Sequence, residues 1–185
     1  SARVLVVGVG GLGCPAALYL AGMGVGTLVL CDADTVSATN LHRQIIFEAA
    51  QVGLKKVEVA AARLRAMNPL IHVETIDRFA DAGLLAELVD GVDLVVDGTD
   101  NFAAKFAIND ACAAAGVPWV YGAIFQYEGQ VSVFHLRGAD GAPGFSYRDL
   151  FPDGRPLRER NGRQLLLLQL LNGVLRLRGA RLHWR

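Results

Sequence analysis

A short apolar run, Arg3–Val7, leads straight into Gly8-x-Gly10-x-x-Gly13 and then into CPAALYLAGMG. No other feature constrains the fold as tightly. A strand of apolar residues with no polar alternation is buried on both faces, the condition of a parallel sheet covered by helices. Glycines let the backbone turn sharply and approach a ligand, and the free N–H groups of the helix start point at an anion. Pro15 suits that first turn, where its missing N–H leaves nothing unsatisfied. The stretch predicts a strand, a phosphate-binding loop and a helix, in that order.

The rhythm continues down the chain. TLVLCDAD reads as a second strand ending in acids. From about Val52, the residues Val57, Ala60, Ala61, Leu64 and Met67 recur at helical spacing, and Asn68–Pro69 ends that helix. IHVETID alternates as a strand, DAGLLAELVDG is a helix, VDLVVDGTD a buried strand, NFAAKFAINDACAAAG a helix and VPWVYGAI a strand. The predicted class is α/β, Rossmann-like: a mostly parallel sheet with helices on both faces. EGQVSVFHL follows its predecessor too closely for a helical crossover, so antiparallel strands continue the sheet at the C-terminal end. We expect one domain over residues 1–185, with a nucleotide-binding core at 1–136, a Gly-, Pro- and Arg-rich loop at 137–163 and a β-hairpin at 164–185. The hairpin would turn on Asn172–Gly173 and carry a bulge at Gly179.

Composition narrows the partners. With 18 basic and 18 acidic residues the chain is neutral overall, which gives no reason to expect a nucleic-acid or membrane partner. Eight of the fifteen arginines lie from Arg155 onward and read as a solvated face or an anionic-partner patch. Cys14, Cys31 and Cys112 are scattered with no CxxC pair, which suits a reducing cytoplasm and buried structural thiols. No apolar run reaches membrane-spanning length, and the Gly-broken start is not a signal peptide. A chain opening in a core strand without Met reads as trimmed at its N-terminus.

The glycine loop alone leaves two nucleotides open. Asp32 or Asp34, roughly twenty residues on, is placed to bond a ribose hydroxyl in either an NAD or an ATP site. The segment after it carries Asn40, Arg43, Lys55 and Lys56. A pyrophosphate held by backbone N–H groups needs few cations, whereas a triphosphate about to be cleaved carries more charge to neutralise. Lys55 and Lys56 also read as an exposed basic helix start. Asp97-Gly-Thr-Asp100-Asn101 ends a central strand at the edge where ligands bind in open α/β sheets. A carboxylate there can hold Mg²⁺ on phosphate oxygens, or Asp100 or Asn101 can simply cap the next helix.

Taken together, RVLVVGVGGLGCPAALYLAGMGVGTLVLCDADTVSATNLHRQIIFEAAQVGLKKVEVA, DLVVDGTDNF and VPWVYGAIFQYEGQVSVF resemble the MoeB/ThiF/HesA family, akin to the adenylation domain of ubiquitin-activating enzymes. The likeness runs from Ser1 to about Pro156, more weakly in the terminal hairpin. It implies ATP with Mg²⁺, and adenylation of the C-terminal Gly–Gly carboxylate of a ubiquitin-like sulfur carrier of the MoaD or ThiS kind, with release of pyrophosphate. It implies that Gly8, Gly10, Gly11 and Gly13 line the nucleotide and that Asp34, beside Asp32, holds the ribose. Asn40, Arg43 and Lys56 would contact the phosphates, with Gln44 and Asn101 in the same nucleotide-binding set. Asp100 would hold Mg²⁺ and, with Arg43 and Lys56, make up the catalytic group. A cytoplasmic homodimer is the state the family suggests.

Three departures from the family pattern matter. The usual opening helix with its arginines has no counterpart here. Ser146-Tyr147-Arg148-Asp149 stands where many relatives have the first zinc-binding Cys pair, so no zinc is expected. After FPDGRPLRERNG the chain passes directly to RQLLLLQLL, without the expected cysteine loop and long helix, so no cysteine-dependent step is predicted. The missing arginine segment and the missing cysteine loop favour the runner-up, a catalytically reduced ATP-binding or docking relative. The retained Arg43, Lys56 and Asp100 favour the enzyme. An NAD-dependent dehydrogenase explains the glycine loop but not the basic cluster, and a tRNA-modifying dehydratase of the same fold is kept in view only by the arginine-rich tail.

Overall fold

A computed structural model describes residues 2–152, apart from Gln126 and Pro143 and the side chain of Phe125; the hairpin expected at 164–185 lies outside the described residues. The elements in chain order are β1 (Arg3–Val7), α1 (Gly13–Gly22), β2 (Thr27–Cys31), α2 (Lys56–Met67), β3 (His72–Ile76), α3 (Ala82–Leu88), β4 (Leu94–Asp97), α4 (Phe102–Ala115), β5 (Trp119–Phe125), β6 (Glu128–Phe134) and α5 (Tyr147–Leu150). Two single 3₁₀ turns, Ala38–Asn40 and Ala49–Gln51, lie between β2 and α2. Among the described residues no helix is long and apolar enough to cross a membrane.

The strands form one six-stranded sheet in the order β3-β2-β1-β4-β5-β6. All neighbours are parallel except β5 and β6, which pair antiparallel from Trp119 opposite Phe134 to Phe125 opposite Glu128. The expected α/β sheet with an antiparallel continuation is therefore present. β1 lies at the centre, with Val4–Val7 aligned to Leu28–Cys31 on one side and to Leu94–Asp97 on the other. This position explains its unbroken apolar run, since both faces are covered.

Strand residues alternate between faces. Val4, Val6, Leu28, Leu30 and Val73 pack in one cluster with Ala17 and Ala21 of α1 and Val57, Ala60, Ala61 and Leu64 of α2. Alanines on those helices let them lie close to the sheet. Leu5, Val7, Val29 and Cys31 take the opposite face and are buried as completely. Trp119, Tyr121 and Phe134 form an aromatic group on β5 and β6, with ring centroids 5.1 to 5.8 Å apart.

The second helix starts later than its apolar repeat suggests, at Lys56 rather than near Val52. Residues 52–55 are held elsewhere: Gly53 donates to Val36 O at 2.9 Å, Val36 to Leu54 O at 2.8 Å, and Thr35 bridges Lys55. The chain divides into two compact units after Ser146. In the second, the described residues form one helical turn in which the Tyr147 and Phe151 rings lie 4.5 Å apart.

Candidate functional site

The strand order reverses beside β1. From β1 the chain goes to β2 and β3 on one side, and later returns to β4 on the other. Loops leaving β1 and β4 at such a point diverge and open a crevice at the carboxyl edge, where open α/β sheets bind ligands. The glycine loop leaves β1 there, and Asp97–Asn101 leaves β4.

Three glycines make the floor. Gly8 adopts φ +85°, and a Cβ on it would lie 3.0 Å from the backbone of Gly98. A Cβ on Gly13 would strike Gly8 O, and one on Gly98 would strike Gly8 O and stand 2.9 Å from Gly13 Cα. Gly98 N–H donates to Val7 O at 2.7 Å, so the two loops are joined backbone to backbone. Gly10 and Gly11 are less crowded. The nearest atoms to a Cβ on Gly11 would be those of Arg43, with Cδ at 3.4 Å; on Gly10 they would be Gln44 Nε2 and Gly98 O, both at 3.8 Å.

Arg43 and Gln44 reach the loop because Asn40 O accepts both of their N–H groups, at 3.1 and 3.0 Å, closing a turn after the 3₁₀ segment. Arg43 is exposed, with Nη1 3.4 Å from His42 Nε2. Gln44 is 3 % exposed, and its buried Oε1 has no hydrogen-bond partner among the described residues. An unpaired buried carbonyl costs about 1–3 kcal/mol, a cost a bound donor would remove.

The two acids after β2 have different partners. Asp32 accepts Val9 N–H through Oδ2 at 2.7 Å and Asp34 N–H through Oδ1 at 2.8 Å, tying the glycine loop to the β2 loop. Asp34 instead turns an exposed carboxylate to Lys56 Nζ at 2.7 Å, and Lys56 is itself buried. Lys55 faces away, paired with Asp77 at 3.1 Å. The structure thus brings Lys56, not Lys55, to the acids.

At the end of β4, Asn101 is the N-cap of α4, its Oδ1 accepting Ala104 N–H at 2.9 Å. Asp100 is exposed, and its carboxylate has no hydrogen-bond or ion-pair partner among the described residues. The buried Asp97 Oδ1 accepts Thr99 N–H at 2.8 Å and Thr99 Oγ1–H at 2.6 Å, and Oδ2 takes Lys105 Nζ at 2.7 Å. Burial pushes the Asp97 carboxyl above its ordinary range, against the opposing charge and hydrogen bonds of Lys105 and Thr99. Sequence reasoning missed Lys105 and Gly98. Lys105, Ile108 and Cys112 recur at helical spacing on the buried face of α4, so the periodicity carried the signal.

All three cysteines are buried and none forms a disulfide. Burial pushes Cys14 and Cys112 up to about 12 and Cys31 to about 11, so they stay protonated and inert at neutral pH.

The architecture and crevice define a Rossmann-like α/β protein with a glycine-lined crevice at the carboxyl edge of its sheet. The ThiF family profile matches residues 1–169. A probable adenylyltransferase/sulfurtransferase MoeZ of Mycobacterium tuberculosis is 46% identical over 156 residues, 84% of this chain and 40% of that protein. A sulfur carrier protein adenylyltransferase of Thermus thermophilus is 44% identical over 155 residues, 84% of this chain and 57% of that protein. The crystal structure of E. coli tRNA N6-threonylcarbamoyladenosine dehydratase TcdA in complex with ATP superposes with a TM-score of 0.62 at 38% identity, covering 64% of this chain and 49% of that one. The chain belongs to the ThiF family, and spans 40% and 57% of the lengths of the two curated relatives.

Proposed function

We propose that this chain adenylates the C-terminal Gly–Gly carboxylate of a ubiquitin-like sulfur carrier of the MoaD or ThiS kind, using ATP and releasing pyrophosphate, as a cytoplasmic homodimer. The observation that carries the reading is the meeting of Arg43 and Gln44 with Gly10 and Gly11, beside a loop that leaves the Asp100 carboxylate unengaged. The names of the Thermus and mycobacterial relatives and the ATP in the E. coli structure support it.

In this reading Gly8, Gly10, Gly11 and Gly13 line the nucleotide and Asp34, braced by Asp32, takes the ribose. Asn40, Arg43, Gln44 and Lys56 take the phosphates, and Asn101 closes the set. The Asp34–Lys56 pair then fixes the ribose acid and a phosphate cation together. Mg²⁺ favours one or two carboxylates completed by phosphate oxygens and water. An exposed, unpaired Asp100 fits that donor set, and no group of three His, Cys, Asp or Glu among the described residues offers an all-protein site instead. When bound, the metal would neutralise charge on the phosphate oxygens.

A carrier carboxylate oxygen forms a bond to the α-phosphorus as the bond to the bridging oxygen breaks, and the electron pair leaves with pyrophosphate. No base is needed, because that carboxylate is already ionised at neutral pH. The protein's part is alignment and charge neutralisation by Arg43 and Lys56. The test is ATP–pyrophosphate exchange on the dimeric gel-filtration fraction, with Mg²⁺ and carriers ending in Gly–Gly. Carrier-dependent exchange is expected, falling at least ~100-fold in Asp100→Ala. Undiminished exchange in that variant overturns the role of Asp100. ATP binding with no exchange on any carrier overturns the enzyme in favour of a docking protein.

A further inference from the structure

Lys105 is a buried cation that the proposed reaction leaves without a role. It lies in the first turns of α4, 4 % exposed. Its Nζ donates to Asp97 Oδ2 at 2.7 Å, to Thr99 O at 3.0 Å and to Gly122 O at 2.8 Å, and stands 4.8 Å from the centre of the Tyr121 ring. An ammonium has three donors, and here each has an acceptor, drawn from the end of β4, the loop after it and β5.

The consequence falls on Thr99. Its N–H and Oγ1 are held by Asp97, and its carbonyl by Lys105. On one side of it Gly98 is pressed against Gly8 and Gly13; two residues on, Asn101 is fixed by capping α4. Asp100 sits between these two anchors with its carboxylate unengaged. A buried ion pair is a weak source of stability, and an apolar pair of similar volume often does as well. Stability alone therefore gives little account of a lysine at this place, whereas its grip on the Thr99 peptide does.

We infer that Lys105 is a positioning residue: by fixing the Thr99 carbonyl it aims the Asp100 carboxylate into the crevice toward the metal-bound phosphates of ATP. The inference rests on the reading of Asp100 as the Mg²⁺ ligand. Lys105 itself touches no substrate in this account.

The experiment is calorimetric titration of the full chain with ATP, once with excess Mg²⁺ and once with EDTA. The quantity read is the ratio of the two affinities. Wild type is expected to bind ATP more tightly with Mg²⁺, and Asp100→Ala to lose that gain. Lys105→Met alone strands the buried Asp97, so the decisive variant is Asp97→Asn with Lys105→Met, which leaves no unpaired charge. It is expected to keep its metal-free affinity within about twofold while the Mg²⁺ gain falls roughly tenfold, as when other outer-shell supports of a metal ligand are removed. Lys105→Arg, which keeps charge and donors, is expected to recover most of the gain. A wild-type gain in the double variant overturns the inference, as does an equal loss with and without metal, the mark of a merely structural pair. Lys105→Arg performing no better than the double variant also overturns it. If wild type shows no Mg²⁺ gain, the Asp100 reading fails and takes this inference with it, an outcome visible before any variant is made.

Discussion

At Gly98 the lack of a side chain is what lets two backbones touch. A Cβ there would run into Gly8 O and crowd Gly13 Cα, neither of which is the yielding end of a side chain. Gly98→Ala therefore forces the loops after β1 and β4 apart. Overpacking of this kind costs about 1–3 kcal/mol, and an equilibrium urea titration should show the midpoint shifted down at an unchanged slope, by an amount that multiplies with the slope to that loss, with ATP affinity lowered as well. An unchanged midpoint would mean that the crevice floor is looser than its geometry. The sequence announces Gly8, Gly10 and Gly13 through their spacing in one short stretch. It is silent on Gly98 as their partner, because that contact joins residues 85 or more positions apart. Asp32 has the same character: a ribose acid and a loop brace use the same residue type at the same distance from the glycines, and only the hydrogen bonds to Val9 and Asp34 reveal the brace.

Elements were more legible than contacts. The run Arg3–Val7 is a central strand because it is apolar throughout, and Phe102–Ala115 is a helix between a capping Asn101 and Gly116 at φ +67°. What the pattern left undecided was whether Asn101 caps or binds. Its Oδ1 bond to Ala104 N–H establishes capping, and that makes a test. Asn101→Ala is expected to lose about 1 kcal/mol of stability, whereas Asn101→Ser retains a capping oxygen and should stay within a few tenths of wild type. If the Ser variant folds as well as wild type yet binds ATP more weakly, the amide serves the nucleotide too. The start of α2 shows the limit of periodicity: Val52 fits the helical repeat, but its N–H bonds Ala49 O, residues 53–56 pair with 34–36, and the helix begins only at Lys56. Pairing of that kind leaves no mark on hydrophobic spacing.

Across the whole sheet, the response to acid depends on which carboxylates folding has shifted, and in which direction. Arg3 on β1 reaches over β2 to Glu74 on β3 through two bonds, Nη1 to Oε1 at 2.6 Å and Nη2 to Oε2 at 2.7 Å. The Arg3 guanidinium holds the Glu74 carboxyl below its ordinary value of 4.5. A depressed folded pKa means that the unfolded chain takes up the proton first, so the contribution is present above 4.5 and is lost as pH falls through the folded value. Asp97 has the opposite sign. Its folded pKa is raised by burial, so what it contributes is present below its ordinary 3.8 and declines as pH rises through the folded value. Of these two carboxylates, Glu74 is the one whose contribution is lost in acid. The size is limited because the side chains of Arg3 and Glu74 are 38 % and 34 % exposed, where water screens the pair to under about 1 kcal/mol. Glu74→Gln should accordingly be less stable than wild type at pH 7 by no more than that amount, and the gap should be narrower at pH 3, below the ordinary 4.5. Urea midpoints at the two pH values measure both quantities. A gap that persists undiminished at pH 3 would assign the effect to packing of the glutamate stem across β2 rather than to its charge.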